Sequence, residues 1–370
     1  MAAASALRIG TFRRSRPLRL ATVLAAGLLG YVAVAWPLNW LARTLQGEPR
    51  SAIVTHKLDF LRAHTDTYDV LLVGSSRFHY DIDPAVLDAA AAEAGCRVRT
   101  FNFGVQGLTA AEQSWLTGKL AEIGGRRPKA VLIERPQLPL GSWQYAGSDR
   151  HRIGHGDLHQ VWLSTQALLT SQRGRLAIAV DVGYVMLGFL YNQLGPGELA
   201  RLFKPAPSEV PADGFTIDLS RDGFIPLEQE VSPRLTARAD RMDWAEFATR
   251  LKKLRAEPPV PRALSPMRLD HLRTQIAEAQ RVAPQVVLTL LPQAIRSVVD
   301  DSASIAAAGA AGAFGSLPIL DLADPLAHPL LFADGIWFDD DHLKGDGVPR
   351  VSHELGRMLC AAVPALQRES

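Results

Sequence analysis

Asp69-Val-Leu-Leu-Val73-Gly74-Ser75-Ser76 is the stretch on which the fold turns. Four successive valine or leucine residues stop at a glycine, with no polar residue alternating among them. A strand of that composition is covered on both faces, which places it in a parallel sheet. Serines directly after such a strand stand where strand gives way to helix, at the carboxyl edge where α/β proteins assemble their sites. Ser76 is therefore a candidate nucleophile. Two plainer readings compete with it: Ser75 is the nucleophile instead, or both serines only cap the next helix.

Reading outward, Asp83-Pro84 opens a helix running to about Ala94, with aspartate at the cap and proline in the first turn. Val98 to Phe103 reads as a second strand. Thr109 caps another helix that carries Trp115, Leu116 and Leu120 at helical spacing, and Ala130 to Ile133 is a third buried strand. From about Leu140 to Pro266 the alternation is lost. That segment holds prolines, several short helical patterns and a hairpin-like run from Phe215 to Ile225 with Asp222-Gly223 at its turn. Alternation resumes with a helix over Leu269 to Val282, strands at Val286 to Leu291 and Ile319 to Leu322, and a closing helix over Val348 to Val363.

Strands alternating with helices predict an α/β protein. The expected form is a flavodoxin-like three-layer α/β/α sandwich of about five parallel strands in the order 2-1-3-4-5. A large insertion, at about 140–266, lies near its carboxyl edge. The chain has 370 residues, 47% of them hydrophobic, and a net charge of +2, which gives no sign of nucleic-acid binding.

The amino end is different in kind. Arg8, Arg13, Arg14, Arg16 and Arg19 precede Leu20 to Leu41, an almost uncharged run long enough to cross a bilayer of ~30 Å as a helix. Trp36 and Trp40 fall near its far end, where indoles favour the membrane boundary. The run exceeds the ~7–15 residues of a signal-peptide core and no clean cleavage site follows, so an anchor is preferred. Positive-inside bias then divides the chain into a cytoplasmic tail (1–19), a transmembrane anchor (20–41), a tether or short helix (42–67) and an extracytoplasmic domain (68–370). This predicts a single-pass protein of the inner, cytoplasmic membrane. Leu176 to Leu194 is apolar enough to mimic a second span. Asp181 inside it would cost about 2.5–3.5 kcal/mol, so it reads as a helix packed on the domain or lying near the bilayer surface. Cys96 and Cys360 are read as two independent buried thiols. The strand order would put their helices on one face, which leaves a disulfide as the alternative.

Near the carboxyl end stands Trp337-Phe-Asp-Asp-Asp-His342-Leu343. Asp339 and His342, three apart, let a carboxylate orient one imidazole nitrogen while the other faces a partner. Asp340 and Asp341 compete for that role, and an ordinary surface histidine is the bland alternative. Ser, Asp and His in that order suggest acyl transfer. His151, His155 and His159 recur at four-residue intervals, but Gly154 and Gly156 break any helix there, so no metal is assigned. No cofactor is expected.

Three blocks carry a family resemblance. Val73-Gly74-Ser75-Ser76 resembles the first block of the SGNH/GDSL hydrolase superfamily, Asn102-Phe-Gly104-Val-Gln-Gly107 its second, and Asp339-Asp-Asp-His342 its last. The likeness covers residues 69–139 and roughly 269–363. It implies a catalytic Ser76, Asp339 and His342, with backbone N–H groups of Ser76 and Gly107 forming the oxyanion hole. The chain departs from the family at the third block: the third strand runs into Glu134-Arg135-Pro136-Gln137, without the expected oxyanion asparagine. Arg135 or Gln137 would then replace that donor or bind substrate, with Asn102 as a further contact. Anchor and insertion together are similar to bacterial cell-surface O-acylation proteins, including DltD-like and alginate-acetylation groups. That likeness implies a serine acyl-esterase or O-acyltransferase, a cell-surface glycan or other acyl ester as substrate, and a membrane-bound acyltransferase as partner. A non-catalytic glycan-binding or scaffold protein of the same fold is the rival reading.

Overall fold

The computed structural model describes residues 16–46, 51–135, 158–169, 174–194, 218–229 and 233–367. Five parallel strands form one sheet: β1 (Val70–Gly74), β2 (Thr100–Gly104), β3 (Ala130–Glu134), β4 (Gln285–Leu290) and β5 (Ile319–Asp321). Their order is β2-β1-β3-β4-β5, the order expected of a flavodoxin-like sheet. β1 shows why its run is uninterrupted. Val70 and Leu72 enter one core with Leu87, Leu355 and Leu359, while Leu71 and Val73 enter the other with Leu58, Leu116 and Leu272. Both faces are covered, so neither parity of position can be polar.

On the first face lie α4 (Pro84–Glu93) and α12 (Gly347–Ala362), with α3 (Ser76–Asp81) at its carboxyl edge. The second face carries α2 (Ala52–Ala63), α5 (Ala110–Ala121) and α10 (Pro266–Ala279). Local chemistry sets their starts. Asp83 accepts from Ala85 N at 3.0 Å with Pro84 following, and Thr109 and Glu112 form a reciprocal capping box. A further helix, α11 (Arg296–Ala310), packs beside β5.

The structure revises several expectations. The segment read as a tether or short helix contains the helix α2, and this helix belongs to the domain: its Val54, Leu58 and Leu61 pack in the core and its Lys57 is wholly buried. Asp222 and Gly223 make a turn, both with positive φ (53° and 83°), yet among the described residues no strand flanks them. The turn instead reaches β2, where Asn102 N donates to Asp222 O at 2.8 Å. Cys96 and Cys360 are bridged, with Cα atoms 5.7 Å apart, and are not independent thiols. The bridge joins the end of α4 to α12, two helices on one face as the strand order requires.

α1 (Arg16–Gln46) contains Ala21–Ala42, which is long and apolar enough to cross a membrane and is almost entirely exposed. Within the insertion, α6 (Leu158–Leu169) and α7 (Arg175–Leu194) pair with one another. α7 also packs on α1, while α6 touches α10. The insertion further supplies α8 (Pro233–Ala239) and α9 (Trp244–Ala256).

Candidate active site

Gly74 and Gly104 end adjacent strands in register, so the loops after β1 and β2 leave the sheet side by side. Val105 N donates to Gly74 O at 2.9 Å across them. Gly104 has to be glycine here, because a Cβ would come within 2.2 Å of His79 N in α3. The two serines are then divided by geometry. Ser75 is the N-cap of α3 and its side chain turns inward. Its N–H and hydroxyl both donate to the Glu134 carboxylate, the hydroxyl at 3.0 Å. Ser76, the first residue of α3, points outward and places its Oγ 2.8 Å from His342 Nε2.

His342 Nδ1 lies 2.9 Å and 3.1 Å from the two oxygens of Asp339, which is fully buried. Asp339 also accepts the backbone N–H groups of Asp341 and His342, both at 2.8 Å, and these bonds hold the carboxylate in place. With Nδ1–H donated to Asp339, Nε2 is left to accept from Ser76. Burial alone would raise Asp339, but the hydrogen bond and charge of His342, then Arg238, outweigh it and lower its pKa. Burial likewise opposes the charged form of His342, yet Asp339, with further charge from Asp81 and Asp341, raises its pKa above 6.5.

The insertion reaches this loop through Arg238 of α8. Its guanidinium contacts Asp339 (3.5 Å), Asp340 and Asp341 (2.6 Å). The three carboxylates lie within 4.8 Å of one another, a grouping that invites a cation; Arg238 supplies one to all three, and Arg250 of α9 adds a second 3.8 Å from Asp340. The loop after β4 adds Gln293, whose Nε2 donates to Asp341 at 2.9 Å, and Ala294 N, which donates to Asp340 O at 3.0 Å. Asp340 and Asp341 therefore face Arg238 and the β4 loop, while Asp339 alone faces the imidazole.

Other residues bear on the site that the sequence did not mark. The Tyr80 ring stands edge-on to His342 with centroids 5.7 Å apart. Asp81 is buried and accepts Leu343 N at 3.1 Å, and burial pushes its carboxyl well above the usual range. Lys57 from α2 extends its Nζ to Gly104 O (2.8 Å), Asn102 O (3.0 Å) and His79 Nδ1 (3.2 Å), pinning the end of β2 to α3. Arg77 pairs with Glu134, both side chains 2% exposed. One of these had a sequence signal: Glu134 ends an apolar strand, and a carboxylate so placed needs a buried partner.

The remaining sequence candidates separate. Gly107 is itself exposed in the loop after β2 and has φ 65°, a conformation glycine adopts without strain. Asn102 is fully buried, and both hydrogens of its amide go to Phe78 O and Ile82 O, which leaves no donor for a substrate. Arg135 is buried and pairs with Asp301, with Gln293 Oε1 at 3.5 Å, contacts that tie the end of β3 to the loop after β4. Gln137, His151 and His155 lie outside the described residues. No protein-family model, curated protein or solved structure matches the chain.

Proposed function

We propose that this chain is a membrane-anchored serine acyl-esterase or O-acyltransferase of the SGNH type, acting outside the cytoplasm on an ester of a cell-surface glycan. The observation that carries the reading is the unbroken relay Ser76 Oγ–His342 Nε2 and His342 Nδ1–Asp339, each contact at hydrogen-bond distance. In this reading His342 takes the Ser76 proton as Oγ attacks the ester carbonyl, and Asp339 stabilises the imidazolium. The tetrahedral oxyanion meets the N–H of Ser76, which a first helical residue leaves unbonded within the helix, and that of Gly107. Collapse breaks the bond to the leaving oxygen, which takes the proton back from His342 and leaves Ser76 acylated. A water or a glycan hydroxyl then gives its proton to His342, attacks the acyl carbon and releases Ser76. Hydrolysis and transfer differ only in that acceptor.

α1 supports the anchored placement, and the Cys96–Cys360 bridge suits an oxidising compartment. A membrane-bound acyltransferase that hands over the acyl group is the partner this placement favours. The scaffold reading keeps one observation in its favour: Glu134 at the end of β3 and Arg135 just after it are both engaged in internal ion pairs. Turnover of a short-chain acyl ester by the purified full chain in detergent tells the two apart. The enzyme reading predicts activity that disappears in Ser76→Ala and His342→Ala. Equal turnover in wild type and Ser76→Ala would favour the scaffold.

A further inference from the structure

At 100° per residue, α7 has two faces. Val182, Val185 and Phe189 point to Val161 and Leu168 of α6. Leu176, Val180, Tyr184, Leu187, Leu190 and Tyr191 cover the other side, and every one of them is exposed, Leu176 to 81% and Leu187 to 50%. Asp181, the one charged residue within the helix after Arg175, is half-buried and has a partner. A helix apolar on both faces belongs in a core or in lipid, and the outward face of α7 is in neither as it stands.

The neighbouring helix indicates what covers it. α7 meets α1 in the last third of Ala21–Ala42. There Ala35 and Asn39 are buried, Trp36 stacks edge-on with Phe189 at 6.4 Å, and Asn39 Nδ2 donates to Gln193 O at 2.9 Å. Tyr31 Oη donates to Leu194 O. A helix leaves its last carbonyls without partners. Where water is scarce those groups must be satisfied from within the protein, and Asn39 and Tyr31 of α1 do this for the final turn of α7.

We propose that the α6–α7 hairpin is seated in the outer leaflet beside α1, with lipid acyl chains covering the exposed face of α7. This rests on the reading of α1 as a membrane span. Because α6 also touches α10, the hairpin ties that span to the α/β domain and holds the Ser76 site close to the membrane surface.

Single-cysteine labelling tests it. The native cysteines are bridged, so Leu187→Cys, Leu190→Cys, Leu28→Cys (α1) and Lys253→Cys (α9) can each carry a bimane fluorophore. The full chain is reconstituted in phosphatidylcholine–phosphatidylglycerol vesicles with or without brominated acyl chains. The proposal predicts bromine quenching at 187 and 190 that matches position 28, with none at 253. Quenching at 28 but not at 187 or 190 overturns it, because the face would then lie in water or against protein. Absence of quenching at 28 removes the span reading itself, and the proposal with it.

Discussion

Glu134→Gln tests how the nucleophile loop is held. The carboxylate accepts from the Ser75 N–H and the Ser75 hydroxyl and forms an ion pair with the Arg77 guanidinium, and both members of the pair are 2% exposed. Glutamine keeps the shape but removes the charge, and its NH2 would turn a donor toward groups that are themselves donors. Removing one partner of a buried pair typically costs about 3–5 kcal/mol, because the remaining charge stays buried without compensation. At a urea slope of about 2 kcal/mol per molar, that lowers the unfolding midpoint by roughly 1.5–2.5 M. Tryptophan fluorescence of the full chain in detergent, followed through a urea titration, reads this shift. Arg77→Met in the Glu134→Gln background removes the stranded charge and recovers a large part of the loss, since an apolar replacement of a whole buried pair is often close to neutral. A shift below about 0.5 M for Glu134→Gln, less than the smallest of these costs, would refute the reasoning. A double variant weaker than the single one would refute it as well.

Other consequences follow from the same geometry. Asp339→Asn leaves the imidazole without its orienting anion and is expected to lower kcat about 10⁴-fold with little change in KM, measured by steady-state ester hydrolysis. The active base is neutral His342, whose pKa is raised, so kcat/KM climbs with pH through a midpoint above 6.5. Arg238→Ala removes the cation that touches all three aspartates, leaving Arg250 beside Asp340, and moves that midpoint higher still, by less than about one unit because Arg238 is 40% exposed. A pH–rate profile from 5 to 9 checks both statements, and an unmoved midpoint in Arg238→Ala would dissociate the insertion from the site. Cys96→Ala with Cys360→Ala opens a loop spanning 264 positions, worth about 5 kcal/mol in the chain-entropy model. The non-reduced wild type should therefore melt well above the double variant by calorimetry, and melt like it after reduction.

Why some of this was legible in the sequence can be traced residue by residue. β1 and β3 announced themselves because both faces of the sheet are covered, which leaves no polar position in Val70–Val73 or Ala130–Ile133. Asp83 and Thr109 marked helix starts because capping is local chemistry. The Asp339–His342 pair was readable because both residues sit in one tight loop, closed by Phe338 N donating to His342 O at 2.9 Å. What escaped depends on contacts far apart in the chain. Lys57 looks like a surface lysine until Asn102 O and Gly104 O, 45 and 47 positions away, surround its ammonium. Arg238 gains its meaning from a loop about a hundred residues later. Asn102 stood in a block that suggested a substrate contact, yet the close approach of α3 to β2 turns its amide inward. The same holds for the disulfide, which needs α4 and α12 side by side before either cysteine has a partner.

The central claim, that Ser76 and not its neighbour is the activated hydroxyl, has a direct measurement. Intact mass of the full chain after incubation with a fluorophosphonate probe should show one adduct per molecule. The adduct should persist in Ser75→Ala and be absent in Ser76→Ala, with labelling slowed strongly in His342→Ala. Labelling that survives Ser76→Ala but is lost in Ser75→Ala, or a wild-type chain that takes up no probe, would contradict the account.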